Sequence, residues 1–338
     1  VDSRLEALKA WVGEELKLDN SRVEPASADA SFRRYFRIRR PTCDLIVMDA
    51  PPDKENLRPF LQVSQLLLDV GVNAPTVLAR DLERGFLLLS DLGSKQYLDS
   101  LKAGAGVESL YQDALDSLLR MQLHGREPAR HLPAYDAEML AREMALMPVW
   151  FLTRHLGIAI SEPDQVMLDD LFDDLVANAS QQPATFVHRD YHSRNLMVCE
   201  PGRPGILDFQ DAVMGPITYD LVSLLKDCYI SWPAGQVRNW TMKFRTMRLN
   251  AGLAAGKDEA EFLRWFDLMG LQRHIKVLGI FARLWYRDGK RGYLADLPLV
   301  LRYVRETAQL YPQTAAFAEF IDRRVEPLFG PAQARESA

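Results

Sequence analysis

The chain is poor in cysteine. Three of its 338 residues are Cys, at 43, 199 and 228, with no C-x-x-C pair. That excludes a disulfide framework or a cysteine-built zinc site, and it fits a reducing compartment. No apolar run is long enough to span a bilayer, and the charged opening Val1-Asp2-Ser3-Arg4 lacks the apolar stretch of a signal peptide. A cytoplasmic protein is the expectation. There is no excess of positive charge: the formal net charge is −5, so no global field invites nucleic acid. Nothing in the composition calls for a membrane or a protein partner. Internal repeats and low-complexity tracts are also missing. What remains is a long chain with ordinary apolar content, enough for two domains.

The periodicities change along its length. An amphipathic helix is expected at the start, with Ser3 and Glu6 as a capping box. Strands are expected at 32–38, 45–48, 76–79 and 86–89, with a helix on Leu57, Phe60, Leu61, Ser64, Leu67 and Leu68 between them. Ser90-Asp91-Leu92-Gly93-Ser94 is a polar break. Beyond it helical spacing dominates: 107–123, 136–156, 163–179, 219–225, about 237–251, 259–286 and 299–310. The fold class is therefore α+β. The expected parts are a nucleotide-binding lobe over 1–90, a hinge at 91–96, and a helical catalytic and substrate lobe over 97–330. Inserted helices fall at about 136–180, and a frayed tail at 331–338.

The most informative stretch is His188-Arg189-Asp190-Tyr191-His192-Ser193-Arg194-Asn195, followed by Asp208-Phe209. It reads H-R-D-x-x-x-x-N and D-F, a phosphoryl-transfer pattern framed by short apolar strands. Asp190 suits a general base for an acceptor hydroxyl. Asn195 and Asp208 offer the hard oxygens magnesium prefers. His188 is expected to brace the loop. Asp211 could face substrate or fix its turn, and Arg194 lies beside the base in sequence.

A β-rich lobe, a hinge and a helical lobe carrying this pattern resemble the protein-kinase-like fold. The resemblance is to its small-molecule branch, the aminoglycoside phosphotransferase family, because Gln210 stands where protein kinases have Gly and no A-P-E follows. The wording of Ser31-Phe32-Arg33-Arg34-Tyr35-Phe36-Arg37, Met48-Asp49-Ala50-Pro51-Pro52, Asp208-Phe209-Gln210-Asp211-Ala212 and Gln272-Arg273-His274-Ile275-Lys276 is similar to bacterial anomeric amino-sugar kinases of cell-wall recycling. The resemblance implies ATP and magnesium as cofactors. It implies N-acetylmuramate or N-acetylglucosamine as acceptor, phosphorylated at the C1 hydroxyl. It also implies that Asp220 is a buried carboxylate holding the catalytic loop, and such a carboxylate is expected to stay ionised at little cost. Leu92 is implied in the adenine hinge, where backbone groups leave ATP or GTP open.

One departure concerns the third strand, where protein kinases carry a phosphate-binding Lys and this chain has Met48. Arg33 or Arg34 is expected to supply the missing charge, with Ser31 in the small-residue phosphate loop. Strand alternation puts Arg33, Tyr35 and Arg37 on one face and Arg34 and Phe36 on the other. On the long helix from Glu259, the residues Gln272, Lys276, Arg283 and Arg287 form a stripe. They either line a substrate cleft or run their long stems out to water. Glu143 and Trp150 are further substrate candidates. The alternatives are an aminoglycoside, choline or homoserine kinase, and a non-catalytic nucleotide-binding module that Met48 would favour.

Overall fold

A computed structural model describes residues 2–18, 23–28, 32–200 and 202–337. In chain order the elements open with helix α1 (Ser3–Ala10) and strands β1 (Val23–Ala28), β2 (Arg34–Ile38) and β3 (Leu45–Asp49). Then come α2 (Leu57–Asp69), β4 (Val77–Asp81), β5 (Phe86–Ser90), α3 (Tyr97–Lys102) and α4 (Val107–His124). The middle of the chain holds α5 (Ala137–Met144), a π-helical continuation (Met147–His155), α6 (Glu162–Ser180) and the short strands β6 (Ala184–Val187), β7 (Leu196–Met197), β8 (Gly205–Ile206) and β9 (Val213–Pro216). Helices complete it: α7 (Tyr219–Leu225), α8 (Ala234–Asn250), α9 (Glu259–Asp288), α10 (Leu297–Ala308), α11 (Ala315–Phe320) and α12 (Glu326–Ser337).

Contacts divide the chain into two units, residues 1–128 with 194–212, and residues 129–193 with 213–338. Residue 90 marks the end of the sheet, whereas the first unit continues through α3 and α4 and regains the β7–β8 hairpin.

In the first unit an antiparallel sheet runs in the order β1-β2-β3-β5-β4. Tyr35 pairs with Met48, and Met48 with Leu87, so these three share one face. The opposite face carries Phe36, Ile38, Leu45, Val47, Phe86 and Leu88, which pack against Leu8, Trp11 and Val12. The helix start differs from the expected capping box: Asp2 is the cap, accepting from the Leu5 amide, because its carboxylate reaches the first free N–H groups from one residue further out.

In the second unit α9 is the central helix, with Leu268, Leu271, Ile275, Leu278 and Phe281 buried against Phe151, Leu168, Leu175, Val300 and Val304. Two differences from the sequence reading lie here. The helix expected over 136–156 is interrupted after Met144 and resumes with π geometry, Pro148 standing at its start. The tail expected to fray from 331 is helical through Ser337, and Ala332 is buried in the unit's core.

Gly279 sets the spacing of α9 against its neighbour. A Cβ there would stand 2.5 Å from Leu146 C and 2.6 Å from Met147 N, both backbone atoms that cannot swing aside. Gly279→Ala is expected to lower the unfolding free energy by about 1–3 kcal/mol, the range for overpacking a filled core. Equilibrium denaturation of the two proteins checks this.

Candidate active site

The loop after β6 begins with two amides bound by one carboxylate. Asp220, fully buried on α7, accepts from His188 N at 2.7 Å and Arg189 N at 3.0 Å. This clamp accompanies a left-handed backbone at Arg189, φ 77°, which a non-glycine residue adopts only under constraint. His188 is buried, and its Nδ1 accepts from the Asp190 amide at 3.2 Å. Further along, a second buried carboxylate, Asp227, accepts from both Ser193 N (2.9 Å) and Ser193 Oγ (2.5 Å). Asp190 is therefore bracketed by two fixed points, while 38% of its own side chain stays exposed.

Cations surround that carboxylate. Arg273 of α9 places Nη2 3.8 Å from Asp190 Oδ1, and its Nη1 donates to Arg189 O (2.8 Å) and Tyr219 OH (3.1 Å). Lys276 donates to Tyr219 OH at 3.0 Å and pairs with Glu143 Oε2 at 3.2 Å. Glu143 also takes the Arg189 guanidinium and the Tyr135 hydroxyl. The dense surroundings push the Asp190 pKa up, but Arg273, Lys276, His192 and Arg189 outweigh them and hold it at about 2. For Glu143 burial also pushes upward, and Lys276 and Arg189 bring it below the usual range.

Asp220 behaves in the opposite way. Burial dominates the two amide hydrogen bonds and the Arg273 charge, and the carboxyl rises from 3.8 to about 7. The expectation that it stays ionised at little cost is thereby corrected.

In the first unit the β7–β8 hairpin turns a thirteen-residue separation into adjacency. Leu196 pairs with Ile206, Leu207 N donates to Asn195 O at 2.9 Å, and Asn195 Nδ2 lies 3.5 Å from Asp208 Oδ2. Asp208 is held left-handed, φ 61°. Its Oδ1 accepts from Arg33 Nη2 (3.3 Å) and Gln210 Nε2 (2.9 Å). An amide oxygen and a carboxylate side by side suit magnesium, which takes one or two protein ligands and completes its shell with phosphate and water. Among the described residues no group of three His, Cys, Asp or Glu could hold a metal by itself.

The two arginine candidates separate. Arg33 is 8% exposed and stands between Asp208 and Glu55, whose Oε2 is 3.9 Å from its Nε. Arg34 belongs to the other face: its Nη2 pairs with Asp49 at 2.5 Å, and it also binds Asp2. Arg34 is thus corrected as a nucleotide candidate: it lies on the sheet face opposite Tyr35 and Met48, where Asp49 and Asp2 hold it. Ser31 lies outside the described residues. Leu92 O accepts from the Cys199 thiol at 3.3 Å, and Arg37 fixes the 91–93 turn through Asp91 and Gly93 O. Arg194 is half-buried in the turn before Asn195, and Asp211 is exposed, taking a contact from Gln210 at 3.4 Å.

The α9 stripe does not reach water as a unit. Lys276 and Gln272 are buried, and the Gln272 amide has no hydrogen-bond partner among the described residues. Arg283 and Trp150 are half-buried. Arg287 differs from the others: it is exposed and paired with its neighbour Asp288. Sequence reasoning missed Asp227, Tyr135, Tyr219 and Arg273. The last two had a signal, since Tyr219 immediately precedes Asp220 and Arg273 sits inside a quoted stretch.

Since Asp220 holds its proton between pH 3.8 and about 7 only when folded, its contribution to stability is present at low pH. That contribution is lost as pH rises through 7. Asp220→Asn is expected to remove this slope, read as the difference in unfolding free energy between pH 5 and pH 8. Asp220→Ala leaves two buried amides without an acceptor, at about 1–3 kcal/mol each.

Residues 22–266 match the phosphotransferase enzyme family, APH. The N-acetylmuramate/N-acetylglucosamine kinase of Pseudomonas aeruginosa is 44% identical over 330 residues, covering 95% of this chain and 96% of that protein. The Neisseria meningitidis protein of the same name is 42% identical over 294 residues, covering 86% of each. ADP-bound aminoglycoside phosphotransferase APH(2'')-Ib superposes with a TM-score of 0.59 at 12% identity, covering 90% of this chain and 98% of that one. Plasmodium vivax ethanolamine kinase gives 0.62 at 10%, covering 91% and 88%. Those two likenesses establish the fold, and the matched residues establish the lineage: this chain belongs to the phosphotransferase enzyme family and has its protein-kinase-like architecture.

Proposed function

We propose that the protein is an ATP- and magnesium-dependent kinase that phosphorylates the anomeric hydroxyl of N-acetylmuramate and N-acetylglucosamine. The observation that carries this reading is near-full-length identity of 42–44% to kinases named for those two sugars. The surroundings of Asp190 agree with it. Three cations, Arg189, Arg273 and Lys276, face two carboxylates, Asp190 and Glu143. That balance disfavours a polycationic antibiotic or a quaternary amine, and it accommodates a neutral or anionic sugar. The acidic runs Asp169-Asp170 and Asp173-Asp174, which an antibiotic would want, lie exposed on α6. No helix among the described residues is long and apolar enough to cross a membrane. A cytoplasmic site of action, where free sugars from wall turnover meet ATP, fits this reading.

Asp190 accepts the hydrogen bond of the C1 hydroxyl and aims its oxygen at the γ-phosphorus. As the O1–P bond forms and the bond to the β,γ-bridging oxygen breaks, the hydroxyl proton passes to Asp190. A carboxylate with a pKa near 2 is a weak base, so orientation outweighs abstraction. That suits a loose transition state in which the proton moves late. Asn195 and Asp208 would hold magnesium, which supplies charge neutralisation on the phosphates. Arg33 would supply the cation that Met48 does not, from the same face of the sheet. Leu92 and its neighbours would offer backbone groups to the base.

Incubation with ATP, magnesium and GlcNAc, MurNAc, kanamycin or choline tests the assignment. An acid-labile sugar 1-phosphate is expected, and transfer only to kanamycin or choline would sink it. Asp190→Asn is expected to lower kcat by roughly 10²–10⁴. Arg33→Ala should raise the KM for ATP about tenfold or more, the value of a charge-assisted hydrogen bond, whereas Arg34→Ala should not.

A further inference from the structure

Helix α9 and the segment from α5 through Met147–His155 run side by side in parallel register. Lys276 meets Glu143 at 3.2 Å, Gly279 abuts Leu146 and Met147, and Tyr286 OH meets His155 Nδ1 at 3.1 Å. This register carries Trp150 level with Arg283.

Arg283 is unusual in this unit. Its Nε is buried with no hydrogen-bond partner, and no carboxylate among the described residues lies within ion-pairing distance of it. The other inward-facing cations of the cluster, Arg189, Arg273 and Lys276, each have an acid. Burial, then the neighbouring Arg287, pull the Arg283 pKa down, which is the electrostatic sign of a cation lacking its counterion. A partly desolvated guanidinium without an anion is a standing cost to the fold. At the same level of the helix pair, Trp150 packs on the core and remains half-buried. At longer range Arg283 feels the charges of Asp288 and then Glu143, and Glu143 binds Arg189, the residue before Asp190. Along α9, Arg283 stands about 15 Å beyond Arg273, a span covered by one substituted sugar and the arginine's own arm.

We propose that Arg283 and Trp150 form the subsite for the anionic 3-substituent of the acceptor. The guanidinium binds the lactyl carboxylate of N-acetylmuramate, and the indole packs on the adjoining apolar sugar face. The inference rests on the amino-sugar reading above and deepens it: Arg283 sets the preference between the two sugars. N-acetylglucosamine, which has a hydroxyl at that carbon, leaves the arginine to water.

The test measures kcat and KM of the full chain for both sugars, in wild type, Arg283→Met and Arg283→Lys. The ratio of kcat/KM for N-acetylmuramate to that for N-acetylglucosamine is expected to fall roughly ten- to hundredfold in Arg283→Met, chiefly through KM, with partial recovery in Arg283→Lys. The N-acetylglucosamine reaction serves as the internal control for folding. A ratio that stays within about twofold, or a parallel loss of kcat for both sugars, overturns the subsite. A wild-type protein that phosphorylates neither sugar overturns the acceptor reading itself, and that result is seen before any variant is made.

Discussion

A loop that must present one carboxylate to a substrate cannot hold itself in shape with its own short-range contacts. Here the constraint is supplied from below, by Asp220 binding two successive amides and Asp227 binding Ser193. Both anchors are buried carboxylates, and both act on backbone N–H groups, which give a fixed direction whatever side chains follow. The left-handed turn at Arg189 is the geometric consequence. The Arg189 carbonyl accepts from Arg273, so the helix that carries the basic residues is tied to the loop that carries Asp190.

The same neighbourhood drives two aspartates apart. Asp190 and Asp220 are thirty residues apart in sequence, and Asp220 feels the charge of Asp190. Asp190 has cations close by and falls to about 2; Asp220 is sealed in and rises to about 7. One carboxylate thereby stays charged and partly exposed, and the other favours its protonated form up to about pH 7 and serves as scaffold. Paired groups with divergent environments are how a fold separates chemical from structural duty among identical side chains. Lowering Asp190 further would make it a poorer base still, which phosphoryl transfer tolerates because little covalent work falls to the protein.

What could be read in advance were the short-range features. The loop motif, four of the five sheet strands (β1 was not among those expected) and several helix limits depend on local spacing, capping and turns, and α7 and α9 begin where the pattern said. The charge cluster was only half legible. Helical spacing put Lys276 on a stripe with Arg287, but spacing cannot tell a buried end from an exposed one. Lys276 is buried because Glu143 and Tyr219 meet it from elements more than fifty residues away, while Arg287 lies past the last covering turn. Asp227 and Tyr135 were invisible for the same reason: their role exists only through long-range partners. Arg34 was assigned to the nucleotide although its own strand alternation pointed it elsewhere; the missing knowledge was that Asp49 and Asp2 wait on that side.

Alternation also explains how a phosphate cation can move between strands. In the antiparallel pair β2–β3, Tyr35 faces Met48, so residues 33, 35 and 37 share the face on which residue 48 lies. A positive side chain can pass from position 48 to position 33 and still project on that side of the sheet. At position 48, fully buried, an ammonium would be costly whenever nucleotide is absent, and a thioether is not. At position 33 the guanidinium has two carboxylates, Glu55 and Asp208, as counterions. On the proposed reading, an arginine so held would exchange protein anions for phosphate anions when nucleotide binds, and the planar fork suits both. On that same reading, the absent lysine is a relocation of charge by one strand, with its protein counterions supplied in place.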